Sequence, residues 1–243
     1  MNILEVCVDD AAGLDAAVQG GADRIELCSN LDIGGVTPSA GLMAEAAQLA
    51  IPVIALIRPR GGGFSYSAAE ERVMLRDIEQ AARLGLAGVA IGALTADRLL
   101  DLPMLRRLAS QAQGLQLTLH RAFDLVPDPA TALEEAVSLG FHRILTSGGA
   151  LKAPDGAARL ASLVKQSQGR VRILAGSGIT AENVQRLLSS TGVHEVHASC
   201  RAAVAEPAPE LVAFGFAGPS GRVTSAAVVR ELKRLVSGHP PAL

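Results

Sequence analysis

Short runs rich in Val, Ile and Leu alternate with Ala- and Leu-rich stretches of helical period along the whole chain. The runs at 3–8, 24–28, 53–57, 88–91, 116–120, 143–146, 172–175 and 195–197 are bounded by turn residues and read as buried strands. Between and after them, 11–19, 39–50, 68–84, 102–111, 129–139, 156–166, 181–190 and 225–236 read as amphipathic helices. Gly20, Gly85, Gly140 and Gly192 each fall just after a helical stretch, where a left-handed residue ends a helix. Pro38, Pro103 and Pro129 sit near helix starts, where a missing N–H does no harm. Strand and helix alternating eight times in about 250 residues predicts a single-domain (β/α)8 TIM barrel. A doubly wound open sheet would carry a Gly-rich fingerprint after its first strand, whereas this one ends in Cys7-Val8-Asp9-Asp10.

One connection breaks the rhythm. Residues 198–224 show no clear period and carry Pro207, Pro209 and Pro219, making a long loop after strand eight rather than the usual few residues. Such an excursion is either a solvated loop or, since it leaves the functional end of the barrel, a lid or oligomer contact. Residues 238–243 read as a frayed tail.

The two-residue alternation within each strand also sorts side chains into helix-facing and interior sets. With Leu4, Val6 and Val8 toward the helices, Ile3, Glu5 and Cys7 point inward. With Ile25 and Leu27 outward, Arg24, Glu26 and Cys28 point inward. Thr118 and His120 follow on strand five, and Glu195, His197 and then Ser199 on strand eight. Arg58 and Arg60 share one parity at the end of strand three.

Composition narrows the ligand. Of 243 residues 49% are hydrophobic but only 2% aromatic, with five Phe, one Tyr and no Trp, too few rings for a nucleic-acid stacking surface. The 22 basic and 24 acidic residues give a net charge of −2, with no basic field for a phosphate backbone. Arg dominates the basic set, Lys standing only at 152, 165 and 233, and a few Arg forks suit a small anion. Three cysteines, an odd number in a chain without an apolar leader, predict reduced thiols and a cytoplasmic protein. No apolar run approaches the roughly 18 residues of a membrane span.

Carboxylates inside a barrel need partners. One reading pairs Glu5, Glu26 and Glu195 with Arg24, Arg58 or Arg121 in a self-satisfied polar layer. The other takes the convergence of Glu, Arg, His and Cys at the carboxyl ends of strands one, two, three, five and eight as an active site. Gly176, Ser177 and Gly178 follow strand seven and open a helix, which makes them, with Ser199, candidates to hold an oxyanion. Arg58-Pro59-Arg60-Gly61-Gly62-Gly63 forms a second Gly-rich, basic loop. Cys7 and Cys28 occupy equivalent places on adjacent strands, and two soft thiolates suit Cu(I), although small buried hydrophobes explain them as well.

The chain also resembles a known family. Ile3-Leu4-Glu5-Val6-Cys7, Gly21-Ala22-Asp23-Arg24-Ile25-Glu26-Leu27-Cys28, Gly34-Gly35-Val36-Thr37-Pro38-Ser39, Ile57-Arg58-Pro59-Arg60-Gly61-Gly62, His120-Arg121-Ala122-Phe123-Asp124 and Leu145-Thr146-Ser147-Gly148-Gly149 together resemble the CutC family of copper-homeostasis proteins. The resemblance implies a (β/α)8 barrel, a cytoplasmic location, self-association as a dimer or tetramer, and a Cu(I) ion bound by Cys7 and Cys28. It leaves Glu5, Glu26, Arg58, His120, Asp124, Glu195 and His197 unexplained, and those look like an enzyme's equipment. The second reading is therefore an isomerase, lyase or aldolase-like enzyme on a small anionic or phosphorylated metabolite. In it Arg58 and Arg60 clamp the anion, Gly176, Ser177, Gly178 and Ser199 hold it, and Glu5, Glu26 or His120 move protons. Neither reading requires an organic cofactor, a nucleic acid or a membrane.

Overall fold

The short apolar runs are buried on both faces, as strands are when helices cover one side and a packed interior fills the other. The computed structural model describes residues 2–218 and 221–239. Its first half runs β1 (Ile3–Val8), α1 (Ala11–Gly20), β2 (Arg24–Leu27), α2 (Ala40–Ala46), β3 (Val53–Leu56), α3 (Ala68–Arg83), β4 (Gly88–Ile91) and α4 (Leu102–Gln111). Its second half runs β5 (Gln116–Leu119), α5 (Pro129–Ser138), β6 (Arg143–Thr146), α6 (Ala157–Ser167), β7 (Arg172–Gly176), α7 (Val184–Thr191) and β8 (Glu195–Ala198). β9 (Arg201–Ala203), α8 (Pro209–Ala213), β10 (Arg222–Thr224) and α9 (Ala226–Ser237) follow. Each of β1 to β8 pairs in parallel with the next, and β8 closes on β1, giving the eight-stranded barrel.

Local chemistry sets the boundaries. Asp10 caps α1 by accepting the Gly13 N–H at 2.6 Å, and Ser67 with Glu70 forms a reciprocal capping box on α3. Gly21 (φ 86°) and Gly192 (φ 70°) end α1 and α7 in the left-handed region. The outer sides of the strands and the inner faces of the helices share one annular core, while Cys28, Ile54, Leu56 and Ala90 form a separate cluster inside the barrel. The predicted alternation therefore holds. Among the described residues no helix is long and apolar enough to cross a membrane.

Three expectations change. Residues 198–224 are not unstructured: β9 and β10 pair antiparallel, with α8 between them, and strands of three residues are too short to leave a period in the sequence. Helix α7 starts at Val184 and not at 181, because the Asn183 side chain accepts the Thr180 N–H and donates to the Gly178 carbonyl, tying 180–183 into a turn. The start of the tail is held, since Asn2 Nδ2 donates to the Val236 and His239 carbonyls at 3.2 and 3.0 Å. Pro219 and residues 240–243 lie outside the described residues.

Candidate active site at the carboxyl end of the barrel

A cavity of about 840 Å³ opens where the strands end, and Cys7, Glu26, Arg58, His120 and His197 all border it. Leu31, Leu56, Phe64 and Leu145 supply apolar wall, and Ser177, Gly178, Ser199, Arg201 and Arg222 stand around it. Five strands thus deliver side chains to the end of the barrel where such folds build their sites.

Beneath the cavity lies a polar tier whose charges are paired, although the buried Arg143 Nη1 makes no hydrogen bond. The Arg24 guanidinium ion-pairs with Glu5 and, at 2.5 Å, with Glu195, whose same oxygen lies 3.3 Å from Arg143 Nε. His197 connects this tier to the cavity: its Nδ1 is 2.8 Å from Glu5 and its Nε2 is 3.8 Å from Glu26. Burial alone would raise the Glu5 carboxyl, but Arg24 and His197 outweigh it and pull the pKa down to about 2. Burial drives Glu26 the other way, up to about 7, with the Glu5 charge adding and His197 only partly offsetting. Burial would lower His197, yet Cys7, Glu26 and Glu5 hold it well above the usual histidine range. The ligand atoms of Glu5, Glu26 and His197 lie within 4.8 Å of one another, but Glu5 is already engaged by Arg24.

Around the cavity itself the polar groups are not closed. Arg58, 6% exposed, donates through Nη1 to the Ile33 and Gly35 carbonyls and through Nη2 to the Gly62 carbonyl. It has no carboxylate partner among the described residues, and its buried Nε has no partner at all. His120 sits at the end of β5 as the cap of the 121–125 turn, its Nδ1 accepting the Ala122 N–H at 3.2 Å. Its Nε2 is buried and unpartnered. Burial and then the Arg58 charge lower its pKa to about 3, so the ring is neutral.

Several expected residues sit elsewhere. Arg60 pairs with Glu70, donates to the Gly61, Gly63 and Ser65 carbonyls and covers Tyr66, outside the cavity wall, because β3 ends at Leu56 and its alternation does not continue into the loop. Asp124 accepts from Arg121, Thr146, Ser147 and Gly149, so it ties down the loop after β6 and does not face a ligand. Gly176 is glycine because a Cβ there would meet Leu145 at 2.6 Å. Ser177 and Gly178 do border the cavity, but Ser177 Oγ donates to the Leu151 carbonyl and the helix behind them begins only at Val184. Ser199 is at the cavity as expected.

The thiols are not at equivalent heights. Barrel shear puts Cys7 level with Glu26, two residues below Cys28. Cys28 is fully buried, donates to the Val8 carbonyl at 3.4 Å and does not border the cavity, and burial pushes its thiol pKa well up. All three cysteines are free and buried, and Cys200, unassigned by its sequence position, borders the cavity with Cys7.

The sequence reading missed Phe64, Arg143 and the two arginines of the β9–β10 pair. Arg143 was accessible to the same alternation test, since Ile144 faces the helices while Arg143 and Leu145 face in. Phe64, Arg201 and Arg222 lie on loops or short strands, where no period exists to orient them.

A family model described as the CutC family matches residues 2–202. The family protein CutC of Rhizobium meliloti is 56% identical over 232 residues, covering 95% of this chain and 94% of that one. Its counterpart from Agrobacterium fabrum is 51% identical, with 98% and 95% covered. Among solved structures, the candidate copper homeostasis protein CutC from Streptococcus agalactiae aligns with a TM-score of 0.79 at 36% identity, covering 82% of this chain and 99% of that one.

Proposed function

The chain belongs to the CutC family, and from that premise we propose that it is an enzyme of the isomerase or lyase kind acting on a small anionic substrate at the carboxyl end of its barrel. Arg58 is the observation that carries this reading. A buried cation is costly unless it is neutralised, and the tier below shows how this chain neutralises one, with Arg24 held between two carboxylates. Arg58 is equally buried and has none among the described residues. A ligand's negative charge completes it. The same reading places the protein in the cytoplasm, where three unpaired thiols stay reduced, and expects it to self-associate. Thermal unfolding with inorganic phosphate and with pyruvate tests the proposal. An anion at about 100 times its Kd adds about 2.7 kcal/mol of stability, and Arg58→Gln removes that gain. If neither these nor any of a panel of phosphorylated and carboxylic anions stabilises the protein, the proposal fails.

The family's association with copper supplies a second reading, in which Cu(I) is cargo on Cys7 and Cys28. It is favoured by the position of Cys7 at the cavity and by the place of Cys28 just beyond the strand paired with that of Cys7. The pair fits a two-sulfur site only in part. Cys28 is packed among Ile54, Leu56 and Ala90 with its proton on the Val8 carbonyl, so it must lose that proton and that bond to ligate. Cu(I) titration against a competing chelator, under reducing conditions, decides this: Cys7→Ser with Cys28→Ser abolishes binding and Cys200→Ser does not. A double variant that binds like its parent ends the reading.

A further inference from the structure

We infer that Arg58 Nε–H and His120 Nε2–H form a two-donor hole for one substrate oxygen, and that the substrate is a small enolisable carbonyl compound whose enolate oxygen occupies that hole while Glu26 carries the proton. This rests on the reading of the cavity as an anion-handling active site and names the substrate class for it.

The bonds that hold each residue in place leave one of its buried N–H groups unused. The Ala122 N–H occupies His120 Nδ1, which leaves the ring's hydrogen on Nε2. The ring is fixed from two sides: Phe64 lies 5.0 Å away, centroid to centroid, and Gly92 backs it so closely that a Cβ would meet ring atoms at 2.4 Å. Three backbone carbonyls take three of the four terminal N–H groups of Arg58, and its Nε–H makes no hydrogen bond among the described residues. The Arg58 guanidinium carbon lies 5.1 Å from the centroid of the same Phe64 ring. Two unpartnered, buried N–H groups therefore belong to residues that flank one ring, and all three residues border the cavity. Donors fixed in advance, one cationic and one neutral, suit an oxygen that gains charge during reaction more than one that carries full charge throughout.

Glu26 is the buried carboxylate at this cavity that makes no hydrogen bond to the described residues, and β2 lies three strands around the ring from β5. A substrate between them presents its carbonyl to the hole and the adjacent C–H to Glu26. The carboxylate takes that proton, the C–H electron pair becomes the C=C bond, and the carbonyl π pair moves onto the oxygen held by Arg58 and His120. Return of the proton to the same carbon restores the substrate, so in D2O the carbon takes up deuterium.

Proton NMR in D2O with pyruvate, 2-oxobutyrate and dihydroxyacetone phosphate reads this step, and oxalate, a planar dianion shaped like the enolate of pyruvate, reads the hole. The parent protein exchanges the α-hydrogen of at least one probe and binds oxalate about tenfold or more tighter than pyruvate. His120→Asn is the discriminating variant, because Asn caps a helical turn well but is too short to reach the cavity. It stays folded, with thermal unfolding as cooperative as the parent's, and its exchange falls on the order of a hundredfold. Nitrogen-15 spectra of the parent show His120 neutral and protonated at Nε2 from about pH 5 to pH 8. Binding of the carbonyl probes with exchange of none of them, a His120→Asn protein that exchanges like its parent, or a His120 that titrates in that range overturns the hole; Glu26→Gln exchanging like the parent overturns the base. Failure of every anion to bind instead overturns the reading beneath, and this one with it.

Discussion

Two polar tiers occupy the interior of this barrel, one above the other, and they are built to opposite rules. In the lower, two arginines face two carboxylates, so the charges balance: Arg24 spans Glu5 and Glu195, and Arg143 reaches Glu195 through Nε while its Nη1 makes no hydrogen bond. In the upper, among the described residues, Arg58 has no carboxylate, His120 Nε2 has no acceptor, and Glu26 has no hydrogen bond, although all three are buried. His197 touches both, through Nδ1 below and toward Glu26 above. The contrast separates the two readings that a polar barrel interior allows. A tier whose charges balance is structure, and one that leaves a buried charge unmatched awaits a ligand.

The sharpest break of that contrast is in the lower tier. Arg24→Met leaves Glu5 and Glu195 buried without their shared cation, and losing one partner of a buried ion pair costs about 3–5 kcal/mol. Urea unfolding measures it. A cost below about 1 kcal/mol would mean that the lower tier is not structural and that the distinction between tiers is false.

In the upper tier, the neutral His120 makes a pH signature. The unfolded imidazole takes up a proton below its ordinary pKa near 6.5, while the folded one resists until about 3. Between those values the unfolded state binds more protons, so the histidine's contribution is intact above about pH 6.5 and is lost as the pH falls, by about 1.4 kcal/mol per unit. Carboxylates titrate over part of the same window, so the comparison is with His120→Asn. The variant's stability falls less steeply than the parent's from about pH 6 to pH 4. Parallel curves would mean that His120 accepts a proton easily in the folded protein.

Much of this was legible in the chain. The eight strands, the helix stops at Gly85, Gly140 and Gly192 and the inward set Glu5, Glu26, His120 and His197 follow from alternation and turn chemistry, because those are local, whereas α1 runs through Gly20 and stops at Gly21. What failed was non-local. Cys7 and Cys28 looked level because both stand two residues beyond a glutamate, but barrel shear offsets the strands by two residues and puts Cys7 beside Glu26. Asp124 looked catalytic within His120-Arg121-Ala122-Phe123-Asp124, yet its acceptors are filled by residues 146–149, which no local pattern could bring to it. The paired β9 and β10 lie beyond residue 202, the last residue that the family model matches apart from the first two of β9, and their pairing spans about twenty residues without a period.

The smallest expected effect tests the comparison most finely. Arg58 and Arg60 are two residues apart, carry the same charge and share one sequence parity, so the chain alone gives both the same task. The structure divides them: Arg58 is buried at the cavity with a free Nε, whereas Arg60 has a 41% exposed side chain and is matched by Glu70 and three carbonyls. An exposed pair of that kind contributes at most about 1 kcal/mol. Arg60→Gln therefore lowers stability by no more than that and leaves phosphate affinity within about twofold of the parent, a difference below about 0.4 kcal/mol, while Arg58→Gln abolishes the binding in the same titration. Equal losses from the two substitutions would show that the anion is held by the general charge of this loop, and the distinction between a matched and an unmatched arginine would no longer mark the site.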